Sequence, residues 1–234
     1  MNSSFPGNIQ ERRNRGEDQQ HSVLMLSLPG PPHYKALMPA ILPGTRCYTD
    51  ASNAPDNLLQ VSSSAGLGIF IVNNLPGAAS TIFIKAKQRG CNSVLMAEAA
   101  ALALGAQLLN ALHVHQPFFL SDNQLLVNFF NGKDHTNPPQ WDIKLFTQSF
   151  INIISANEGK IFKIDRKLNI TAHVLASQTY KSTVRTSDEF HATCTNPLHV
   201  NSCLAAINSV LGESFTLIAA SLQSTLATSQ QSST

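Results

Sequence analysis

The sequence predicts a mixed α/β domain, and three observations support this prediction. Three apolar segments with the residue types of β-strands, separated by polar or Pro-Gly turns, lie between Arg46 and Lys87. A long segment rich in Ala and Leu begins near Ser93 and has the composition of a helix. After it, short apolar strands alternate with helical segments as far as Thr179. The predicted element order is βββ-α-β-α-α-β-α, which forms a five-stranded mixed sheet flanked by helices.

The first three strands are predicted to form an antiparallel meander. Their predicted bounds are Arg46–Asp50, Ala65–Val72 and Ser80–Lys87. Polar residues at 51–64 separate the first two strands, and the turn at 73–77 separates the second from the third. Antiparallel pairing is expected because no helix lies between these strands to form a parallel crossover.

The predicted central helix contains a single charged side chain. It has no proline, and Leu95, Leu102 and Leu109 recur at intervals of seven residues, which gives one apolar face. Glu98 is its only charged residue and lies on or beside this face. A buried, unpaired carboxylate is costly, so we expect Glu98 to have a partner such as a metal ion.

The later elements alternate between strand and helix. A short apolar strand, Pro117–Asp122, ends in a carboxylate. The remaining predicted elements are a helix at Asn123–Asn131, a helix at Gln140–Ala156, a strand at Lys160–Asp165 and a helix at Leu168–Thr179.

Carboxylates at the ends of predicted elements suggest a site for a hard cation. The inward Glu98 and the strand-end Asp122 supply half of a metal site with oxygen ligands. Each strand-end carboxylate also has a structural interpretation. Asp50 suits a turn, and Asp122 suits the N-cap of the helix that follows it.

Five short motifs, taken together, resemble one known family. They are Thr49-Asp50-Ala51-Ser52, Ala65-Gly66-Leu67-Gly68, Ala97-Glu98-Ala99, Ser121-Asp122-Asn123, and a closing set of Ile164-Asp165-Arg166, Asn169 and Ala172–Ala176. In this order they resemble the type 1 ribonuclease H domain, and most closely the reverse-transcriptase-like ribonuclease H domains of plant retroelements. The resemblance extends from Arg46 to Tyr180 and implies the ribonuclease H-like fold.

The resemblance implies a metal-dependent endonuclease. Members of the family hydrolyse the RNA strand of RNA–DNA hybrids, so an RNA–DNA hybrid or another nucleic acid is the expected partner. Asp50, Glu98 and Asp122 are the implied ligands of two Mg²⁺ ions about 4 Å apart, with Mn²⁺ as an alternative metal. The same three residues and His173 form the implied catalytic set. The implied nucleic-acid-binding residues are Ser52, Asn123, Arg166 and Asn169.

The closing helix departs from the family pattern at one acidic position. His173 stands where the family usually has Asp, and Lys163 and Asp165 stand where it often has His and Pro. Imidazole can bind a divalent ion or transfer a proton near neutral pH, but it adds no negative charge. We therefore expect weaker Mg²⁺ binding, a relative gain for Mn²⁺ and reduced activity. Taken alone, His173 suits an ordinary helix surface. The alternative function is a catalytically degenerate domain that binds nucleic acid or protein.

Composition indicates one domain with extensions. The chain has 234 residues, 43% hydrophobic and 13% charged, with a formal net charge of +2. We predict an irregular or disordered leader at 1–44, the ribonuclease H-like domain at 45–181, and a helical extension with a disordered tail at 182–234. The domain has eleven Lys and Arg against eight Asp and Glu, a mildly basic balance that is compatible with a phosphate partner.

The sequence favours an intracellular protein without a membrane partner. The polar N-terminus lacks the pattern of a secretory signal, and no apolar run of about 18 residues avoids a charge. The four cysteines have no disulfide-framework spacing. The sequence does not distinguish nucleus from cytoplasm, and it does not indicate the oligomeric state.

One pattern in the C-terminal region loosely resembles a zinc knuckle. It consists of His191, Cys194, His199 and Cys203. Its first ligand and its last spacing depart from that motif. We therefore favour chance spacing, with Cys203 buried on a predicted helix at His199–Leu211.

Overall fold

The computed structural model describes residues 44–53, 64–75, 78–181, 191–194, 210 and 215–226. Its strands are β1 (Thr45–Ser52), β2 (Ser64–Leu75), β3 (Ala78–Arg89), β4 (Phe118–Ser121), β5 (Lys160–Lys163), β6 (His191–Cys194) and β7 (Phe215–Leu226). Its helices are α1 (Val94–Ala111), α2 (Gln124–Asn131), α3 (Lys144–Ala156) and α4 (Ile170–Lys181). Short 3-10 turns at Trp141–Ile143 and Arg166–Leu168 precede α3 and α4.

The described strands form one mixed sheet of seven strands, two more than the predicted five, in the order β5-β4-β1-β2-β3-β7-β6. β1, β2 and β3 pair antiparallel as the predicted meander. β4 pairs parallel to β1, and the connection between them includes α1. β5 pairs parallel to β4, and the connection between them includes α2 and α3. The predicted α/β fold and its element order βββ-α-β-α-α-β-α are therefore confirmed. β2 and β3 are longer than predicted and leave only residues 76–77 between them.

The C-terminal region corrects one prediction. Two strands, β6 and β7, lie where a helical extension was predicted at 182–234. β7 pairs antiparallel with β3 along almost its whole length, and β6 pairs parallel to β7. The open edge of β3 explains the difference, because its unpaired backbone groups can be satisfied by another strand. Of the predicted helix at 199–211, only Val210 is described, and it is helical. The predicted leader lies outside the described residues apart from Gly44.

α1 is the central helix of the core and lies between the sheet and α3. It begins at Ser93, whose side-chain hydroxyl accepts a hydrogen bond from the Met96 backbone N–H at 3.1 Å. Gly105 brings the helix close to β1, because a Cβ there would lie 2.9 Å from the Cys47 Sγ atom. By length and composition α1 could cross a membrane, but 72% of that window is buried inside the protein. Burial on several faces explains its high apolar content without a membrane.

α4 packs on the opposite face of the sheet, against two glycines of β2. A Cβ built on Gly66 would overlap the carbonyl oxygen of Ala176, and one built on Gly68 would overlap that of Ala172. The backbones of α4 and β2 are therefore in direct contact. Gly68 pairs with Asp50 of β1, so this contact brings the start of α4 beside that carboxylate.

Candidate active site

Three acidic side chains converge at one end of the sheet. Asp50, Glu98 and Asp122 each offer a carboxylate oxygen, and these oxygens all lie within 4.8 Å of one another. The parallel register of β1 and β4 explains why Asp50 and Asp122 are close together. Tyr48 pairs with Leu120, and each Asp comes two residues after its member of this pair. Glu98 joins them from the second turn of α1.

Glu98 is buried and lacks part of its hydrogen bonding. The residue is 7% exposed, and its Oε2 atom is buried without a hydrogen-bond partner. Burial, reinforced by the negative charges of Asp50 and Asp122, raises the pKa of Glu98 well above its usual range. A backbone hydrogen bond from Ala51 opposes this shift. In the absence of a cation, the site therefore favours a proton on Glu98.

Asp50 lies on β1, between β4 and β2 in the sheet, and is also buried. Burial raises the pKa of Asp50 to about 6. The hydrogen bond from His173 opposes this increase, while the charge of Asp122 adds to it. The cluster thus contains two carboxyl groups whose charged forms need a compensating positive charge.

The donor set fits a divalent cation. Three clustered carboxylates are hard oxygen ligands of the kind that Mg²⁺ and Mn²⁺ prefer. A cation would provide a partner for the unpaired Glu98 Oε2 atom and would offset the mutual repulsion of the carboxylates. Asp50, Glu98 and Asp122 are therefore the residues that could hold a metal.

His173 contacts this cluster directly. It lies on α4, and its Nδ1 atom is 2.8 Å from the Asp50 Oδ2 atom. Its side chain is 38% exposed, compared with 4% for Asp50, so the imidazole is at the rim of the site. The interpretation of His173 as an ordinary surface residue is therefore wrong, because α4 packs directly over Asp50.

Asn169 has a different position from the predicted one. Asn169 is predicted to contact nucleic acid, but the residue is only 1% exposed. The Nδ2 atom donates to the Thr49 carbonyl oxygen at 2.8 Å and to the Asp122 Oδ1 atom at 3.2 Å. The close approach of α4 to the sheet buries this position. The structure therefore places Asn169 in the interior beside Asp122, which corrects the predicted contact of this residue with nucleic acid.

Asn123, rather than Asp122, caps α2. Its side-chain oxygen accepts a hydrogen bond from the Leu126 backbone N–H at 3.1 Å, and its own N–H donates to the Ser121 hydroxyl at 3.1 Å. The alternative role of Asp122 as the N-cap is therefore wrong, and its carboxylate faces the cluster instead.

Two further predicted contacts lie near the cluster. Ser52 is half-buried at the end of β1, two residues beyond Asp50. Arg166 is exposed in the 3-10 turn before α4. Its positive charge partly offsets the increase that burial causes in the pKa of Asp50 and of Glu98. Their contact with nucleic acid stays a prediction.

The packing role of Gly66 and Gly68 is not predicted from the sequence. Both residues belong to a motif of the family, and in the structure they allow α4 to approach the sheet. The available signal was two glycines spaced two apart in a predicted strand, since this spacing places both on one face.

The chance spacing expected for the four His and Cys residues of the C-terminal pattern stays a prediction. His191 and Cys194 begin and end β6. His199 and Cys203 lie outside the described residues.

The sheet order, the central helix and the three converging carboxylates define a ribonuclease H-type domain. The chain belongs to the reverse transcriptase-like family, whose model matches residues 55–179, slightly more than half of the chain. Glu98, Asp122 and His173 lie within the matched residues, and Asp50 lies just before them.

Solved structures of ribonucleases H resemble this fold at low sequence identity. Ribonuclease H1 from the archaeon Halobacterium salinarum is 19% identical, with a TM-score of 0.46 over 58% of this chain and 96% of that chain. The N-terminal ribonuclease H domain of a Mycobacterium tuberculosis protein is 18% identical, with a TM-score of 0.48 over 59% of this chain and 99% of its own.

A foamy viral protease-reverse transcriptase, solved in complex with an RNA/DNA hybrid, is 14% identical. It has a TM-score of 0.47 over 62% of this chain and 21% of that chain. Comparison with curated proteins gives no match.

Proposed function

We propose that this chain is a divalent-metal-dependent endoribonuclease that hydrolyses the RNA strand of RNA–DNA hybrids. The observation that supports this function is the convergence of Asp50, Glu98 and Asp122, in which the Glu98 Oε2 atom is buried without a partner. Membership of the reverse transcriptase-like family adds support, because Glu98 and Asp122 lie within the residues that the family model matches.

The three carboxylates are the proposed ligands of two Mg²⁺ or Mn²⁺ ions. When bound, such ions supply an activated water and stabilise the charge on the leaving oxygen. Asp50, Glu98 and Asp122 would hold these ions together, because their carboxylate oxygens lie within 4.8 Å of one another. Burial of Asp50 and Glu98 excludes water and strengthens their interaction with bound cations.

His173 is proposed to hold a proton at the rim. Its Nδ1 atom is engaged with Asp50, which leaves the Nε2 atom on the other side of the ring. Since the side chain is partly exposed, the Nε2 atom is available to exchange a proton with water or with the bound strand.

Recognition of RNA is proposed to involve Ser52, Asn123 and Arg166. Hydroxyl and amide groups beside the cluster can contact the 2′-hydroxyls that distinguish RNA from DNA. The exposed guanidinium of Arg166 suits a phosphate of the backbone.

A cleavage assay on the full-length chain tests the proposed function. The substrate is an RNA–DNA hybrid with labelled RNA, incubated with Mg²⁺, Mn²⁺ or a chelator. We expect cleavage of the RNA strand only with metal. Asp50→Asn should slow it by at least about 100-fold, because this change removes one of the three proposed metal ligands. Asp142→Asn, on an exposed aspartate, is the matched control and should keep the wild-type rate.

A wild-type rate in Asp50→Asn would reject the assignment of the site. Cleavage that persists in chelator would reject metal dependence.

A second candidate function is binding without catalysis. It is favoured by the contact of His173 with Asp50, because the imidazole occupies the Asp50 Oδ2 atom and stands where the family usually has a fourth acid. Hybrid binding without cleavage in either metal would support this candidate over the nuclease.

A further inference from the structure

We propose that Asn169 is a positioning residue that holds the Asp122 carboxylate in the orientation required for metal binding. This inference rests on the proposed function, since it concerns the same cluster. Asn169 itself does not reach the surface, because only 1% of it is exposed. Its effect on a metal would therefore act through Asp122.

The side-chain amide of Asn169 connects two strands of the site. Its Nδ2 atom donates to the carbonyl oxygen of Thr49 at 2.8 Å and to the Asp122 Oδ1 atom at 3.2 Å. Thr49 immediately precedes Asp50 in β1, and Asp122 follows β4. The Asn169 Nδ2 atom is thus hydrogen-bonded both to the backbone beside Asp50 and to the side chain of Asp122.

The backbone of Asn169 is itself held at both ends. Its N–H donates to the Arg166 carbonyl oxygen at 3.0 Å, and its carbonyl accepts from the His173 N–H at 3.0 Å. The amide therefore projects from a fixed junction between the 3-10 turn and α4. Asp122, by contrast, is only half-buried and follows a short strand. The better-anchored residue is expected to orient the more exposed one.

Asparagine has the chemistry that this position requires. Its amide nitrogen has two hydrogens, one for each acceptor, and it has no charge. Aspartate would offer no donor and would repel Asp122. The Asn169 Oδ1 atom is buried without a hydrogen-bond partner, which costs stability. A residue that destabilises the fold in this way, beside the cluster, is better explained by function than by packing.

Metal affinity measured without substrate tests the inference. The probe is Mn²⁺, followed by electron paramagnetic resonance on the full-length, metal-free protein. We expect Asn169→Ala to weaken Mn²⁺ binding by about 10- to 100-fold, the usual effect of removing a group that orients a metal ligand. In an Asp122→Ala background the same change should have less than about a twofold effect, because its target is gone.

Two variants separate this role from general stability. Thr179→Ala removes a buried hydrogen bond to the Leu175 carbonyl on the same helix, so it should lower the melting temperature without changing Mn²⁺ affinity. Asn169→Ser leaves a smaller cavity and is the substitute if Asn169→Ala does not fold, as judged by circular dichroism. It should also weaken Mn²⁺ binding, because one hydroxyl cannot serve both acceptors.

Each outcome distinguishes the two proposals. Wild-type Mn²⁺ affinity in a folded Asn169 variant overturns the positioning role and leaves the nuclease proposal intact. An equal loss of affinity with and without Asp122 also overturns it. A wild-type protein that binds no Mn²⁺ overturns the metal site and the positioning role together.

Discussion

The properties of single residues in the cluster depend on close contacts between groups that are distant in sequence. Asp50 and His173 are 123 residues apart, yet their side chains are 2.8 Å apart. Asp50 has a raised pKa because it is buried, and the imidazole limits that increase. His173 therefore partly offsets the increase in the pKa of Asp50, which a fourth carboxylate would not do. In exchange, the site has one negative charge fewer for binding a cation.

Substitution of His173 should change the metal preference. His173→Asp restores a fourth carboxylate, so it should lower the Mg²⁺ concentration for half-maximal cleavage by about tenfold. His173→Ala should leave slower but detectable cleavage, because the three principal carboxylates remain. The measurement is the rate of hybrid cleavage against Mg²⁺ and Mn²⁺ concentration. His115→Asp, on an exposed histidine, is the control and should leave the metal dependence unchanged.

An unchanged Mg²⁺ requirement in His173→Asp would show that position 173 does not contribute to the metal site.

At the scale of elements, the contact between α4 and β2 positions two residues of the site. Asn169 immediately precedes α4 and His173 lies in its first turn, and Gly66 and Gly68 set how closely the helix approaches the sheet. A Cβ on Gly68 would also lie 2.5 Å from the Ala176 backbone nitrogen. Backbone atoms cannot move aside as a flexible side chain can, so a side chain here would displace the helix.

Gly68→Ala should therefore destabilise the domain by about 3 kcal/mol, the upper part of the range for overpacking. It should also weaken Mn²⁺ binding, because it moves Asn169 and His173 away from the carboxylates. Urea unfolding followed by circular dichroism measures the first effect. Gly90→Ala is the control: a Cβ there meets nothing within 4 Å and only the positive φ of 73° is unfavourable. It should cost about 1–2 kcal/mol.

If Gly68→Ala is no more destabilising than Gly90→Ala, α4 is not held by direct backbone contact.

At the scale of the whole molecule, the carboxylate cluster connects stability to pH and to metal. The pKa of Asp50 in the folded protein is about 6, above its value of about 3.9 in an unfolded chain. Between these values the folded state holds more protons than the unfolded state. The free energy of unfolding therefore decreases as the pH rises through this window. Glu98, whose pKa is also raised, extends the decrease to higher pH.

Thermal unfolding in a chelator should show this decrease between about pH 4 and pH 7. Mn²⁺ or Mg²⁺ should raise the melting temperature more at about pH 7.5 than at about pH 5, because a metal binds the deprotonated carboxylates. Asp50→Asn removes one titrating group, so it should reduce the pH dependence and raise the stability of the metal-free protein near neutral pH. Equal pH profiles for the two proteins would contradict the raised pKa of Asp50.

The sequence by itself determined the element order from β1 to α4 and the identity of the three carboxylates. Strand and helix periodicities are local, and so is the contrast between Glu98 and its apolar neighbours. Only the tertiary structure decided that Asn169 is buried behind Asp122, that His173 contacts Asp50, and that β7 pairs with β3. The physical reason is that burial and edge pairing depend on groups far apart in the chain. Gly66 and Gly68 allow α4 to pack closely on the sheet, but nothing in the local sequence specifies that α4 is the element that packs there.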